Sequence, residues 1–124
     1  VCLSEIYKTE LDPRIGFLHE PNYRALSLHL DLAEIFKPIL GDTLIFNMLN
    51  KKEITAKDFQ TDAGRIKFSN DAVQKIELKM ISRLCDTLTV GGRELTWRQV
   101  IRREANKLKK CICEDAPYEG FRWE

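Results

Sequence analysis

The stretch GFLHEPNYRALSLHLDLAEIFKP, Gly16 to Pro38, decides the fold of this chain. Leucines alternate with Ser27, His29 and Asp31, which is the pattern of a half-buried strand. Three features argue for a helix instead. No β-branched residue occurs between Tyr23 and Glu34, and Leu, Ala and Glu all favour helix. The run continues without a breaker to Lys37, longer than a typical strand. Leucines at 26, 28, 30 and 32 would surround a helix, as expected of one buried on most sides. The reading is a core helix over residues 23 to 36. The choice is chemical as well as structural. On a strand, Asp31 and Glu34 would face opposite sides, because an odd offset flips the face. On a helix they sit at i and i+3, one face, and can be aimed together at His19.

Working outward, Leu3, Ile6 and Tyr7 have helical spacing over residues 1 to 10, and Asp12-Pro13 ends that helix. Pro13, Gly16 and Pro21 punctuate a loop. Beyond Pro38, the segment from Ile39 to Leu49 stays apolar and helical. KEITAKDF reads as a short helical turn and GRIKFS as a small strand or hairpin arm. Ser69 or Asn70 caps a long helix with a stripe of Val73, Ile76, Met80, Ile81, Leu84 and Leu88. Gly91-Gly92 breaks the chain. Thr96-x-x-Gln99 is a capping-box pattern that opens a last helix, with Trp97, Val100, Ile101, Leu108 and Ile112 inward. An aromatic tail, APYEGFRWE, closes the sequence. The expected fold is mainly α, a compact multi-helix domain with at most one small β-hairpin.

Bulk properties narrow the class. At 124 residues the chain has one domain's worth of core, and 44% hydrophobic with 31% charged residues is ordinary for a globular protein. No apolar run approaches the roughly 18 residues needed to span a bilayer, and no export signal is visible, so no membrane role and a cytoplasmic location are expected. The chain starts with Val in what reads as a helix, which suggests a piece of a longer protein. Cys2, Cys85, Cys111 and Cys113 lack disulfide-framework spacing. Cys111-x-Cys113 offers two thiolates where zinc takes about four ligands, so reduced, packed cysteines are expected. The net charge of +1 names no partner. Its distribution is more telling: from Arg93 to Lys110 there are seven basic residues against two acidic. Such a helix is ordinarily a solvated face, and the alternative is contact with phosphate.

A histidine with carboxylates from one helix makes a partial shell for Mg²⁺ or Mn²⁺, and the single nitrogen leans toward Mn²⁺. By itself this pattern is weak, since a loop histidine near acids is usually a hydrogen-bonded surface residue. The order of residues adds weight. Leu11-Asp12-Pro13, then Gly16-Phe17-Leu18-His19, then the run from Arg24 to Glu34, then Phe36-Lys37-Pro38 strongly resembles the CRISPR-associated integrase family, the metal-dependent DNA endonuclease subunit of the spacer-acquisition complex. DFQ at 58 to 60, the long helix from Asn70 and YEGFRW fit the family's later part more loosely.

The resemblance implies roles. His19 matches the histidine metal ligand and Glu34 the helix carboxylate ligand, with Mg²⁺ or Mn²⁺ as cofactor. Asp31 matches a second acidic catalytic position, beside the metal or organising the ligands; its alternative is an ordinary salt bridge. Double-stranded DNA is the implied substrate, whose 3′-OH ends are joined to a CRISPR repeat by transesterification. A small partner subunit and a homodimer of the full-length protein complete the complex. Arg24, Arg98, Arg102 and Lys109 are candidate DNA contacts. Residues 1–124 then represent the helical C-terminal catalytic domain, without the family's N-terminal β-rich domain.

Three departures matter. The family's first metal-binding Glu lies upstream of the Leu-Asp-Pro turn, and neither Glu5 nor Glu10 sits in its motif, so the isolated chain is expected to be inactive. Lys37 replaces the usual Arg and lacks its planar fork. His29 stands where a small apolar residue is usual, and is read as a packed or surface histidine. The competing class is a non-catalytic helical DNA-binding or protein-interaction module. A His-Asp metal phosphohydrolase needs an adjacent pair, and Leu30 separates His29 from Asp31.

Overall fold

The computed structural model describes residues 1–19 and 26–123. Its order is α1 (Cys2–Ile6), α2 (Leu28–Phe36), a π-helical segment (Lys37–Asp42), α3 (Thr43–Asn50), a 3₁₀ turn (Ala56–Asp58), β1 (Phe59–Asp62), β2 (Arg65–Phe68), α4 (Asn70–Cys85), β3 (Thr87–Val90), β4 (Arg93–Thr96) and α5 (Trp97–Glu114). The mainly α expectation holds, and the strand reading of the leucine run is excluded where it is described.

Two boundaries differ from the sequence reading. α1 stops at Ile6 rather than reaching residue 10. α2 starts at Leu28 rather than Tyr23; residues 23–25 lie outside the described ones, and Leu26 and Ser27 precede the helix. The late start has a cause. The N–H groups of Ser27 and Leu28 both donate to the Pro13 carbonyl, at 3.0 and 3.1 Å, and Ser27 Oγ donates to the Arg14 carbonyl at 2.7 Å. The loop satisfies the donors that a helix start leaves free. The leucines do not ring the helix either: Leu28 and Leu32 are buried, Leu30 is exposed.

Pro38 has no N–H to donate, and downstream of it the Thr43 N–H reaches back five residues to the Pro38 carbonyl, the bond of a π turn. Thr43 Oγ1 also donates to the Ile39 carbonyl. The helical rod therefore continues from α2 into α3. Its buried apolar positions, Leu28, Leu32, Phe36, Leu40, Leu44 and Met48, are spaced by four throughout.

The structure has two hairpins rather than at most one. β1 pairs antiparallel with β2, and β3 with β4. Each turns on two residues with positive φ, Ala63-Gly64 and Gly91-Gly92, the geometry that matches strand twist in a two-residue turn. The sequence reading carried Leu88 on α4. The helix instead ends at Cys85, and β-branched Thr87, Thr89 and Val90 favour a strand. In α4, Ala72 and Leu84 are buried while Val73 and Ile81 face solvent, so the stripe is narrower than expected. Ser69 caps this helix by accepting from the Ala72 N–H at 3.2 Å. The capping box of Thr96 and Gln99 is present as read. On α5, Trp97, Val100, Ile101 and Leu108 are buried as expected, and Ile112 is exposed.

The main core joins α1, α2 and α5 through Ile6, Leu28, Leu32, Phe36, Trp97 and Ile101. A smaller cluster of Leu44, Met48 and Ile54 lies under α3. The four cysteines are free thiols. Among the described residues no helix is long and apolar enough to cross a membrane.

Candidate metal centre and its histidine

The loop from Asp12 to His19 folds back on the start of α2. Arg14 closes its first turn with two short contacts to the Asp12 carboxylate, which holds that carboxyl down to about 2. Gly16 follows. A Cβ there would lie 2.6 Å from Asp31 Oδ2 and 2.9 Å from Ser27 Oγ, so only glycine lets the loop approach this closely.

That approach delivers three successive backbone N–H groups to one carboxylate. Asp31 Oδ2 accepts from the N–H groups of Phe17 and Leu18, the second at 3.2 Å. Asp31 Oδ1 accepts from the His19 N–H at 3.1 Å and lies 2.6 Å from His19 Nδ1. Burial pushes the Asp31 carboxyl up, but the His19 ring and the three N–H groups outweigh it, and its pKa stays below the ordinary aspartate value. An ionised carboxylate only accepts, so the proton of this contact belongs to His19 Nδ1. In the neutral ring His19 Nε2 is then the acceptor nitrogen, on a side chain that is 39% exposed.

Asp31 was read as standing beside a metal or organising its ligands. Both of its oxygens are engaged by the loop and the His19 ring, the geometry that the second role would require. A carboxylate behind a histidine that fixes its tautomer is the usual outer support of a metal-ligating imidazole.

Glu34 lies one helical turn further along α2, exposed, and its carboxylate is held by Lys37 Nζ at 2.9 Å. Its partner is Lys37 rather than His19. Among the described residues no group of three or more His, Cys, Asp or Glu is placed to hold a metal ion. The two side chains that could contribute to a divalent ion are the His19 imidazole and the exposed Glu34 carboxylate, the second engaged by Lys37. His29 is half-buried with Nδ1 unpartnered among the described residues.

The candidate DNA contacts separate. Arg24 lies outside the described residues. Arg102 Nε binds Glu5 Oε2 at 2.8 Å, and Lys109 Nζ binds Glu10 at 3.1 Å, so both tie the last helix to the N-terminal segment. Arg98 is exposed without an ion-pair partner among the described residues. The sequence reading missed the buried carboxylates Glu5 and Glu104. Glu104 left a signal, since it falls within the apolar stripe of Trp97, Val100, Ile101, Ala105 and Leu108. Gly16 left less, because its need depends on a carboxylate fifteen residues away.

The family profile described as CRISPR associated protein Cas1 matches residues 1–80, well over half of the chain. The chain belongs to the Cas1 family. A protein named CRISPR-associated endonuclease Cas1 2, from Thermodesulfovibrio yellowstonii, is 42% identical over 122 residues, covering 97% of this chain and 37% of its own length. The CRISPR-associated endonuclease Cas1 of Clostridium perfringens is 43% identical over 122 residues with the same coverage. Among solved structures, a CAS1 protein from Thermotoga maritima superposes with a TM-score of 0.80 at 36% identity, over 94% of this chain and 37% of that one. A casposase bound to integration product gives 0.79 at 28% identity, over 93% and 34%. The chain therefore spans little more than a third of the length of the relatives it matches.

Proposed function

We propose that residues 1–124 are the helical C-terminal catalytic domain of a longer DNA endonuclease and integrase of CRISPR adaptation. It would join 3′-OH ends of short DNA to a repeat, with Mg²⁺ or Mn²⁺ as cofactor and a cytoplasmic location. Double-stranded DNA is its substrate, and a small second subunit and a homodimer of the longer protein are its assembly partners. The observation that carries this reading is the 2.6 Å contact of His19 Nδ1 with an Asp31 already saturated by backbone N–H groups, in a chain of the Cas1 family. The names of the relatives, endonucleases and a casposase with its integration product, agree with it.

In this reading His19 Nε2 and Glu34 hold the ion, and Asp31 holds His19. A bound divalent ion supplies charge neutralisation at the phosphodiester and activation of the attacking hydroxyl. In the exchange, the 3′ oxygen bonds to phosphorus, the repeat strand's bridging P–O bond breaks, and the departing oxygen takes up a proton. The chain's own contribution is orientation. Asp31 keeps the proton on Nδ1, so the Nε2 lone pair faces outward, and Lys37 neutralises Glu34 until another cation competes for it. With two ligands rather than three, binding by this chain alone is weak, with Mn²⁺ ahead of Mg²⁺, and activity is small.

The test is strand transfer of a labelled 3′-OH duplex into a repeat-bearing plasmid by the full-length protein, run beside a gel shift. Glu34→Ala should abolish joining and leave most duplex binding, which Lys and Arg contacts to phosphate supply. Joining at the wild-type rate would refute the catalytic reading. The lack of a three-ligand cluster among the described residues favours a second reading, a non-catalytic helical DNA-binding or interaction module. Calorimetry separates the two: Mn²⁺ binding lost in His19→Ala supports the first, and no Mn²⁺ binding by the full-length protein supports the second.

A further inference from the structure

The C-terminal tail is fastened to α5. Buried Glu104 accepts from Tyr118 Oη at 2.6 Å and from the Phe121 N–H at 3.0 Å, and Lys107 Nζ donates to the Glu119 carbonyl at 2.7 Å. Phe121 packs against Phe36 at 5.7 Å and edge-on to Trp97 at 5.9 Å. Trp123 then lies flat on Trp97, with centroids 4.9 Å apart and planes 7° from parallel. Trp97 is 2% exposed whereas Trp123 is 55% exposed. One face of Trp123 is used by the core and much of the ring remains in water, on a mount held by hydrogen bonds.

Trp123 borders a cleft of about 880 Å³ between the β3–β4 turn, α5 and the tail. That size falls within the range of ligand clefts, roughly 300 to 1,000 Å³. Arg103 and Arg122 line it and have no ion-pair partner among the described residues, whereas Lys107 is engaged by Glu104 at 2.6 Å. The acidic residues of its lining are Glu104, paired with Lys107, and Glu119. A flat aromatic surface beside two unpaired guanidinium groups matches a nucleobase and its phosphates, because stacking tolerates any base and arginine suits phosphate oxygens. A duplex has its base faces covered by stacking, so the platform suits an unpaired strand.

We propose that this cleft binds one or two unpaired nucleotides of a DNA strand, stacked on Trp123 with their phosphates at Arg103 and Arg122. The proposal rests on DNA as the substrate and places a second contact on the chain, separate from His19 and Glu34. The test is anisotropy of a labelled twelve-residue thymidylate strand and of a twelve-base-pair duplex, with the full-length protein. Trp123→Ala should weaken single-strand binding about tenfold, and Trp123→Phe should stay within about threefold of wild type. Arg103→Ala should weaken it too and reduce the salt dependence by about one phosphate contact. Duplex binding should be unchanged in all three. Circular dichroism checks that each variant is folded; should Trp123→Ala not be, Trp123→Phe and Arg103→Ala decide. Wild-type single-strand affinity in the folded Trp123→Ala and Arg103→Ala variants would overturn the proposal, as would an equal loss for the duplex. Single-strand binding should be the same with the divalent ion removed by EDTA, so failure of the metal reading and failure of the cleft are told apart.

Discussion

Asp31 organises both a loop and a tautomer, and two substitutions separate those effects. Asp31→Ala removes the acceptor of four hydrogen bonds, three from backbone N–H groups and one from the His19 ring. Hydrogen bonds to a charged group contribute about 1.5 to 3 kcal/mol each when buried. Phe17 and Leu18 are exposed, so water replaces part of the loss, and a net cost of about 3 kcal/mol is expected. At about 2.1 cal/mol/K per residue, a chain of 124 residues has an unfolding entropy of about 260 cal/mol/K. The melting temperature should then fall by about 11 °C, read by circular dichroism. Amide exchange at residues 17, 18 and 19 should rise with it. Asp31→Asn is milder for stability and sharper for chemistry. Its oxygen can still accept from Phe17 and Leu18, while its amide donates to His19 Nδ1, drives the ring proton to Nε2 and leaves the His19 N–H without its acceptor. Nitrogen NMR of His19 should report that swap, and Mn²⁺ affinity should fall with it. A melting temperature within about 2 °C of wild type for Asp31→Ala, with unchanged exchange at residues 17 to 19, would refute the role assigned to this carboxylate.

Gly16→Ala, whose Cβ would sit 2.6 Å from Asp31 Oδ2, should lower the melting temperature and alter the His19 ring signals; an unperturbed spectrum would contradict the close approach. Acid should act through Asp31 and Glu5, whose carboxyls both stay below their ordinary values: burial raises them, and their hydrogen-bonded partners outweigh it. The unfolded state then takes up protons first as pH falls. Their contribution is complete above the ordinary carboxylate range and is lost as pH drops through the folded-state values, so melting between pH 7 and 3 should show a decline that Asp31→Ala reduces. Glu104→Gln should loosen the tail, seen as faster proteolysis after residue 115 and a shift in tryptophan emission; a tail as protected as in wild type would show that the aromatic stack suffices. Thr96→Ala should cost about 1 kcal/mol through loss of the capping box, measured by urea unfolding.

Much of this was legible in residues alone where the signal is local. The box of Thr96 and Gln99, the cap at Ser69 and the helical choice for the leucine run depend on spacing within a few positions. The i to i+3 relation of Asp31 and Glu34 was likewise available, and the family resemblance pointed to His19. What escaped reading depends on distant partners. The helix start at Leu28 is set by the Pro13 carbonyl, and the loss of Arg102 and Lys109 as free cations by Glu5 and Glu10 from the opposite end of the chain. The second hairpin was obscured because Leu88 continues the spacing of α4 past the point where Asp86 turns extended. No window on the sequence distinguishes these cases without knowing what lies across the core.

The π segment between α2 and α3 has a consequence for how this rod tolerates change. In an α-helix each step of four residues overshoots a full turn by about 40°. Six side chains at that spacing, from Leu28 to Met48, would wind through about 200°, just past the opposite face. A wider turn from Lys37 to Asp42 winds in the other sense and resets the phase. Deleting a single residue there would leave α2 in place while rotating Leu44 and Met48 out of the second cluster by about 100°. Length in this short interval is therefore under tighter constraint than the identity of most of its residues, and insertions or deletions should be excluded from it even where substitutions are accepted.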